Sequence, residues 1–326
     1  MNIHILYETT DKPWGGINSF MRSLRLELEK RDGIVVQDSI KQDTNIILIG
    51  AANKGPGQEL EPKEVRNLIK KRSNVINRVL GKHQYKMVHR LDGLRGIYTG
   101  TSIPNDLKQI EISNLVDYII FQSKFSLYCF RQHGYEADNH TIVFNGIDPE
   151  KFAFTNRELP EKDKPIRVIA SSWSTAEMKG FATISSLSEF AGFEVHFVGR
   201  WNENIDSKNV ILHQPLTHTQ LVKLYKNMNL FLHAAENDPC PNVVIEALAS
   251  GMPIVHINSG GTAELAAEYG FVIPKLPSKV DADILLSQIR DDHVQIVENI
   301  KNDLQNFSIE TIADQYLEVF RKVHNE

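Results

Sequence analysis

The sequence has few cysteines and no long apolar run. Only Cys129 and Cys240 occur among 326 residues, and they lie in different halves of the chain. This excludes a disulfide-rich scaffold, and the simplest interpretation is a reducing, cytoplasmic setting. Nowhere do about 18 apolar residues follow one another, so the sequence predicts no membrane span. The first residues, Met1–Tyr7, have the pattern of a strand and lack the basic start of a signal peptide.

The chain also lacks a strong excess of either charge. Its 41 acidic and 36 basic residues give a net charge of −5, which offers no overall reason to expect nucleic acid as a partner. The twelve histidines show none of the spacings typical of zinc sites, so no metal site is predicted. The length and the hydrophobic content of 41% suit two globular domains of ordinary size.

Short apolar strands alternate with longer amphipathic stretches, a pattern typical of α/β domains with parallel sheets. The alternation breaks at the Pro- and charge-rich residues 154–165 and then starts afresh. We therefore predict two Rossmann-like domains facing a cleft, at residues 1–153 and 166–306, a linker at 154–165, and a last helix within 307–326. The predicted strands are Ile3–Tyr7, Asn45–Ile49, Met87–Leu91, Tyr118–Gln122, Thr141–Phe144, Ile166–Ala170, Glu194–Val198, Val210–Leu212, Leu230–His233, Pro253–Ile257 and Phe271–Ile273.

Two acids, Asp238 and Glu246, bracket a Pro-rich loop and the start of a predicted helix. The N-terminus of a helix collects unpaired N–H groups and the positive end of the helix dipole, so it suits a diphosphate. The segment resembles the acid-x7-acid signature of the retaining GT-B glycosyltransferases known as glycosyl transferases group 1. That resemblance implies Asp238 on sugar hydroxyls, Glu246 on a ribose, and the N–H groups of Asn242 and Val243 on the diphosphate. The alternative is an ordinary loop and helix in which Asp238 is a capping acid.

The second domain opens with a strand that runs into a loop rich in small hydroxyl residues and then into Lys179-Gly180. Ligands of open α/β sheets bind beyond the carboxyl ends of the strands, where a lysine can neutralise a diphosphate. Family members usually carry Arg-x4-Lys-Gly here; Lys179 fits, but Ser174 occupies the arginine position. Ser172 and Ser174 are candidates to donate hydrogen bonds instead, and Arg200 is a candidate replacement cation. The alternative for Lys179 is a solvated lysine near a helix start.

In the first domain the loop after the first strand contains Gly15-Gly16. Adjacent glycines let a backbone approach a ligand closely, and the loop resembles the one with which the family covers the donor phosphates. Further along, Val88–Arg95 contains His89 and Asp92 at a strand end. The resemblance implies that one of them lies near the anomeric carbon, and both are candidates. The alternative is a core histidine beside a structural Arg90–Asp92 pair.

Other segments add resemblance in the family's order, over roughly residues 14–274: Phe121–Phe125, Phe144–Asp148 and Gly260–Leu265. Three departures leave the strength of donor binding open: Asp238 stands for the usual Glu, Pro241 for a Gly, and Ser174 for the arginine. Asp281-Ala-Asp283 is the metal-binding pattern of a different glycosyltransferase architecture. Because it lies near a predicted helix start, where acids favour the dipole, we interpret it as structural.

Residues 63–90 are strongly basic in a chain of net negative charge, with nine basic residues against one acid, Glu64. A solvated helix face is one interpretation. The others are peripheral docking on the inner face of a membrane, to reach a lipid-linked acceptor, and binding of an acidic acceptor glycan.

The resemblance implies a GT-B fold, in which the last helix often packs back on the first, acceptor-side domain. It also implies a retaining transfer of a sugar, of hexosyltransferase type, from a nucleotide-diphosphate donor to a hydroxyl of a glycan or lipid-linked acceptor. No cofactor and no metal are expected, because the donor phosphate can take the acceptor proton. Two alternatives stay open: a nucleotide-sugar binding subunit with weakened turnover, and a GT-B nucleotide-sugar epimerase.

Overall fold

The computed structural model describes residues 1–10, 15–99 and 104–325. The chain divides into two compact units. The first comprises Met1–Ile147 together with Ile309–Glu326, and the second comprises Asp148–Ser308. Each unit is built on a largely parallel sheet, as the alternation of strands and helices predicts.

The sheet of the first unit has the order β2-β1-β3-β6-β7-β8, and all of these neighbours are parallel. A short antiparallel hairpin, β4–β5, extends β3 and was not predicted from the sequence. The central strands are buried because they are short continuous apolar runs, as in Ile46–Gly50. The strands are β1 (Asn2–Leu6), β2 (Val35–Gln37), β3 (Ile46–Gly50), β4 (Asn53–Gly55), β5 (Gln58–Glu59), β6 (Lys86–Arg90), β7 (Tyr118–Phe121) and β8 (His140–Ile142).

Among the described residues, six helices of the first unit connect these strands. Three are fixed at their first turns by side chains: Ser123 caps one helix through the N–H of Ser126, Asn74 caps another through the N–H groups of Ile76 and Asn77, and Glu61 with Glu64 forms a capping box at a third. The helices are α1 (Gly15–Glu29), α2 (Pro62–Arg72), α3 (Val75–Val79), α4 (Arg95–Thr99), α5 (Pro104–Ser113) and α6 (Lys124–Gln132).

The second unit has the sheet order β11-β10-β9-β12-β13-β14, with all neighbours parallel. The chain runs outward in one direction from β9 to β11 and then returns to β12 beside β9, so the order reverses between β9 and β12. This is the order of the doubly wound dinucleotide-binding fold. The strands are β9 (Ile166–Ser172), β10 (Phe193–Gly199), β11 (Ile211–His213), β12 (Leu230–His233), β13 (Ile254–His256) and β14 (Gly270–Val272).

The helices of the second unit are α7 (Phe181–Leu187), α8 (His218–Tyr225), α9 (Asn242–Ala249), α10 (Thr262–Leu265) and α11 (Lys279–Asp303). Asp281, from the Asp-x-Asp pattern, forms a capping box with Ser278 at the first turn of α11. Its carboxylate accepts the Ser278 hydroxyl at 2.6 Å and the Ser278 N–H at 2.8 Å. This acid therefore has a structural role at a helix start.

The last helix, α12 (Ile309–Asn325), belongs to the first unit. Its apolar face is buried in the same core cluster as α1, and the ring of Tyr316 lies 5.8 Å from that of Phe20. At its start the N–H of Ile309 donates to the carbonyl of Ile147 at 2.7 Å. The chain thus returns to the first unit beside the residue where it left.

The predicted linker, residues 154–165, lies within the second unit, which begins at Asp148. Arg157 in this segment is buried, and its guanidinium donates to the carbonyls of Tyr225, Met228 and Ser250. Burial lowers the pKa of Arg157 to about 10. The segment 154–165 is therefore attached to the second unit by the buried side chain of Arg157. The lack of apolar periodicity in its sequence gave no sign of this contact. None of the helices that the structure describes is long and apolar enough to cross a bilayer.

Candidate active site

The carboxyl ends of β9 and β12 are neighbours at the point where the strand order of the second unit reverses. In an open parallel sheet this reversal leaves a crevice beyond the strand ends, because the loops on either side run in opposite directions. Ser172 ends β9 and His233 ends β12. The loops that follow these residues carry the predicted Lys179 and Asp238.

Lys179 ends a 3₁₀ turn, Glu177–Lys179, in the loop after β9. Gly180 follows with φ of +78°, and a Cβ built there would lie 2.1 Å from the carbonyl oxygen of Ala234. Glycine is therefore required where the two loops meet. The N–H of Glu236 also donates to the carbonyl of Met178 at 2.8 Å. These backbone contacts fix the loop of Lys179 against the loop of Asp238.

The side chains of Lys179 and Asp238 form an ion pair, with 3.1 Å between Nζ and Oδ2. Their exposed fractions are 29% and 18%, so the pair is partly shielded from water but remains reachable from solvent. The structure therefore brings together the two residues that the sequence places 59 positions apart. Without a ligand, each neutralises the other.

The backbone of Asp238 is held by the predicted Gly260-Gly261 segment. The N–H of Gly261 donates to the Asp238 carbonyl at 2.8 Å. Gly260 has φ of +63°, and a Cβ there would lie 2.5 Å from the same carbonyl oxygen. These glycines therefore permit a close approach that fixes the position of the acid.

His233 is a residue of this site that the sequence reasoning missed. It is buried at the end of β12, and its Nδ1 lies 3.1 Å from the Thr262 hydroxyl. Burial lowers the pKa of His233 to about 4; Asp238 opposes this shift and Lys179 adds to it. The imidazole is therefore neutral beside the ion pair. The available signal was a polar residue ending an otherwise apolar strand.

Helix α9 begins at Asn242, directly after the Asp238 loop. Its cap residue is Pro241, which supplies no side-chain acceptor to the first turn. The N–H groups of a first helical turn have no carbonyl within the helix to bond, so they favour an anion. The predicted donors Asn242 and Val243 occupy the first two positions of this turn.

Glu246 lies one turn further along α9 and is partly buried. Burial raises the pKa of Glu246 to about 7. No ion pair to its carboxylate occurs among the residues that the structure describes. A carboxylate that is desolvated without a cation nearby gains from hydroxyl donors, because each hydrogen bond replaces lost hydration.

The predicted serines mainly shape the loop after β9. The Ser172 hydroxyl donates to the Ser174 carbonyl at 2.7 Å and accepts the Ser174 N–H at 3.1 Å. The Ser174 hydroxyl accepts the N–H of Ala176 at 3.3 Å and keeps its own proton for another acceptor. Arg200 donates its backbone N–H to the Ser172 carbonyl at 2.9 Å, and its side chain is exposed. Of the two serines, Ser174 is better placed to donate to a ligand.

The remaining predicted residues lie in the first unit. His89 is fully buried, and its Nε2 lies 2.8 Å from the carbonyl oxygen of Ala51. Burial lowers the pKa of His89 to about 4. Its surroundings match the alternative of a core histidine that the sequence left open.

Asp92, with 30% of its side chain exposed, pairs with the buried Arg90 and accepts the Gln122 amide at 2.9 Å. Arg90 also donates to Asn145 at 2.8 Å, and Asn145 donates to Gln122 at 3.0 Å. These four side chains form one polar network at the carboxyl ends of β6, β7 and β8. Gln122 and Asn145 lie in the segments Phe121–Phe125 and Phe144–Asp148, which were noted only for family resemblance. The structure adds the contact of Gln122 with Asp92 and the contacts of Asn145 with Arg90 and Gln122.

The predicted closing loop is only partly described. Gly15 and Gly16 are the first residues of α1. The preceding residues of that loop, 11–14, lie outside the described residues, so its role over the donor phosphates stays a prediction.

Residues 200–299 match the model of glycosyl transferases group 1. This segment, about a third of the chain, contains Asp238 and Glu246, and the predicted resemblance to the family is confirmed. A probable sucrose-phosphate synthase of Thermosipho melanesiensis is 23% identical over 201 residues, which are 56% of this chain and 45% of that protein. The chain thus spans about half the length of this curated relative.

Solved structures resemble nearly the whole chain. Anabaena Alr3699/HepE in complex with UDP matches 99% of this chain and 100% of its own, with a TM-score of 0.67 and 16% identity. The sucrose-phosphate synthase of Thermosynechococcus elongatus matches 99% of this chain and 98% of its own, with a TM-score of 0.66 and 15% identity. The predicted GT-B fold class is confirmed.

Proposed function

We propose that this protein transfers a hexose from a nucleoside-diphosphate sugar to a hydroxyl group, with retention of the anomeric configuration. The observation that carries the proposal is the Lys179–Asp238 ion pair at the strand-order reversal of the second unit. A cation and an acid held together, beside the first turn of α9, match what a diphosphate and its sugar require.

The donor's charged groups have complementary partners in this unit. The diphosphate would bind Lys179 and the N–H groups of Asn242 and Val243, and Ser174 and Arg200 are placed to assist. Glu246 would accept the two ribose hydroxyls, which offset its desolvation. The Anabaena protein was solved with UDP and with UDP-glucose, which supports a nucleoside-diphosphate sugar as the donor class.

Binding of the donor would replace the ion pair between Lys179 and Asp238 with one contact of each residue to the donor. Lys179 would leave Asp238 for the more highly charged diphosphate, and Asp238 would become an acceptor for sugar hydroxyls. The bond between the anomeric carbon and the diphosphate oxygen then breaks, and a bond to the acceptor oxygen forms on the same face. The acceptor proton passes to the departing phosphate, while Lys179 and the α9 N-terminus stabilise the negative charge. This balance uses no cofactor or metal.

On the acceptor side, Asp92 is the residue of the predicted pair that reaches solvent, and the hydrogen-bonded network around it fixes its orientation. We propose that Asp92 contacts the acceptor and that His89 supports the core. The acceptor would be a glycan or a lipid-linked sugar, within polysaccharide or glycolipid synthesis.

Two alternative functions would use the same donor site. Ser174 stands where an arginine is usual, which favours a binding subunit with weakened turnover. A nucleotide-sugar epimerase would use the same donor contacts without any acceptor.

A two-stage experiment separates these functions. A thermal-shift panel of nucleoside-diphosphate sugars identifies the donor, because a ligand at 100 times its Kd stabilises the folded state by about 2.7 kcal/mol. Release of nucleoside diphosphate from that donor is then measured with and without candidate acceptors. Transfer requires acceptor-dependent release and a glycosylated product. Binding without release indicates the weakened subunit, and a changed sugar without acceptor indicates the epimerase.

A further inference from the structure

The basic stretch 63–90 folds into α2, α3 and β6, and its basic residues have different surroundings. Three of the nine have acidic partners: Arg66 pairs with Glu111, Arg72 with Asp117, and Arg90 with Asp92. The single acid of the stretch, Glu64, pairs with Lys54. The other basic residues have no ion pair among the residues that the structure describes: Lys63, Lys70, Lys71, Arg78, Lys82 and Lys86. Four of these six, Lys70, Lys71, Arg78 and Lys82, lie at or near the junction of α2 and α3, so most of the unbalanced positive charge is there.

Helix α3 exposes apolar side chains at this junction. Val75 is 73% exposed, Ile76 66%, Val79 80% and Leu80 57%. At about 100° per residue, these four positions fall within an arc of roughly 140° on one side of the helix. We call these four residues, with the exposed Lys70, Lys71 and Arg78, the α3 patch.

The exposed helix is held in place by polar contacts. The Asn74 side chain caps it by accepting the N–H groups of Ile76 and Asn77 at 2.9 and 3.3 Å. The Asn77 amide donates to the carbonyl of Lys71, the next-to-last residue of α2, at 2.8 Å. The fold therefore presents the apolar side chains on an ordered element.

We propose that the α3 patch docks on an anionic lipid surface. Exposed aliphatic side chains flanked by cations match a bilayer interface, where the apolar groups enter the acyl boundary and the cations meet lipid phosphates. A second copy of this chain fits less well, because a two-fold contact would bring the three cations against their own copies. An acidic glycan would satisfy the cations but would leave the aliphatic groups in water. The proposal is independent of the proposed sugar transfer.

The first test is co-sedimentation with vesicles of phosphatidylcholine alone and of phosphatidylcholine mixed with phosphatidylglycerol. We expect binding to the mixed vesicles only, and weaker binding as salt rises. At roughly fivefold per basic residue, Lys70→Glu/Lys71→Glu/Arg78→Glu should lower binding by at least about 100-fold. The control is Lys223→Glu/Lys226→Glu/Lys279→Glu, three exposed lysines of the second unit with the same change in net charge. Absence of binding by the unchanged protein, or equal loss in both variants, would overturn the proposal.

The second test detects insertion of the apolar side chains. Both native cysteines are buried, and burial raises the pKa of Cys129 to about 11, so an introduced surface cysteine reacts selectively. Val79→Cys and the control Val294→Cys, each replacing a valine that is 80% exposed, are labelled with an environment-sensitive fluorophore. We expect a blue shift with anionic vesicles for Val79→Cys only.

The same labelled variants are mixed with a soluble acidic polysaccharide. A blue shift with the polysaccharide, or no shift with vesicles, would refute lipid docking. Donor binding by thermal shift needs no vesicles, so the failure of lipid docking and the failure of the proposed transfer are recognised separately.

Discussion

Replacing Lys179 with alanine tests the proposed donor site most directly. The substitution removes the cation that lies 3.1 Å from Asp238 and that would meet the diphosphate. Loss of one preorganised group that stabilises transition-state charge lowers turnover by roughly 100- to 1,000-fold. We therefore expect a kcat reduced by that factor in an assay of nucleoside diphosphate release.

The same substitution affects folding far less. Asp238 loses its counter-charge, but with 18% of its side chain exposed it can gain water. The expected loss lies between those of exposed and buried pairs, on the order of 1–2 kcal/mol in the free energy of unfolding. Thermal denaturation of the variant checks that the loss of turnover does not come from unfolding.

A matched control exists in the same group of loops. Lys275 pairs with Glu236 at 2.6 Å, but 64% of the Lys275 side chain is exposed, and no donor contact is proposed for it. Lys275→Ala should change kcat less than about threefold, as expected for an exposed ion pair. Near-normal turnover in Lys179→Ala, or an equal loss in Lys275→Ala, would refute the assignment of the diphosphate to Lys179.

Three further predictions concern Glu246, Asp238 and His89. Glu246→Gln should mainly weaken nucleotide binding and Asp238→Asn should mainly lower kcat, because Glu246 is proposed on the ribose and Asp238 on the hydroxyls of the sugar that is transferred. Titration and steady-state kinetics check this, and the reverse pattern would contradict it. Burial raises the pKa of Glu246 from 4.5 to about 7, so the folded state binds the extra proton between these values, and the free energy of unfolding should fall as pH rises from about 4.5 to 7. Denaturant unfolding at several pH values should show this slope flattened in Glu246→Gln, and an unchanged slope would assign it to other groups. His89→Leu should lower the free energy of unfolding by about 1–3 kcal/mol, because the carbonyl of Ala51 loses its buried partner. Its kcat should be nearly unchanged, and a kcat loss above about 100-fold in a folded variant would make His89 catalytic.

The strands were largely predictable because their burial leaves a strong sequence signal. Leu230–His233 is both the predicted and the observed range, and most others differ at their ends by one or two residues. The missed strand β2 (Val35–Gln37) has only three residues, and 54% of Val35 is exposed. The β4–β5 hairpin contains mainly polar residues and glycine. Both lack the apolar run that identifies buried strands.

At the candidate site, the sequence indicated which residues take part better than it indicated how deeply each one is buried. The loops of Lys179 and Asp238 were predictable because they follow β9 and β12, two parallel strands whose carboxyl ends are neighbours. The buried state of His89 was not, because a histidine at a strand end has the same sequence pattern in a core as in a pocket. His233 was missed for the same reason. Burial is set by tertiary packing, which single-residue patterns do not contain.

The return of α12 to the first unit has a consequence for synthesis of the chain. Ile147 and Ile309 are joined by a 2.7 Å hydrogen bond, so the second unit is an insertion within the first. A ribosome completes residues 148–308 before it makes α12, and the second unit therefore has all its own segments while the core around Phe20 still lacks Tyr316 and Phe320. The unit that begins first is thus completed last, and until then its unfinished core exposes apolar surface that chaperones recognise.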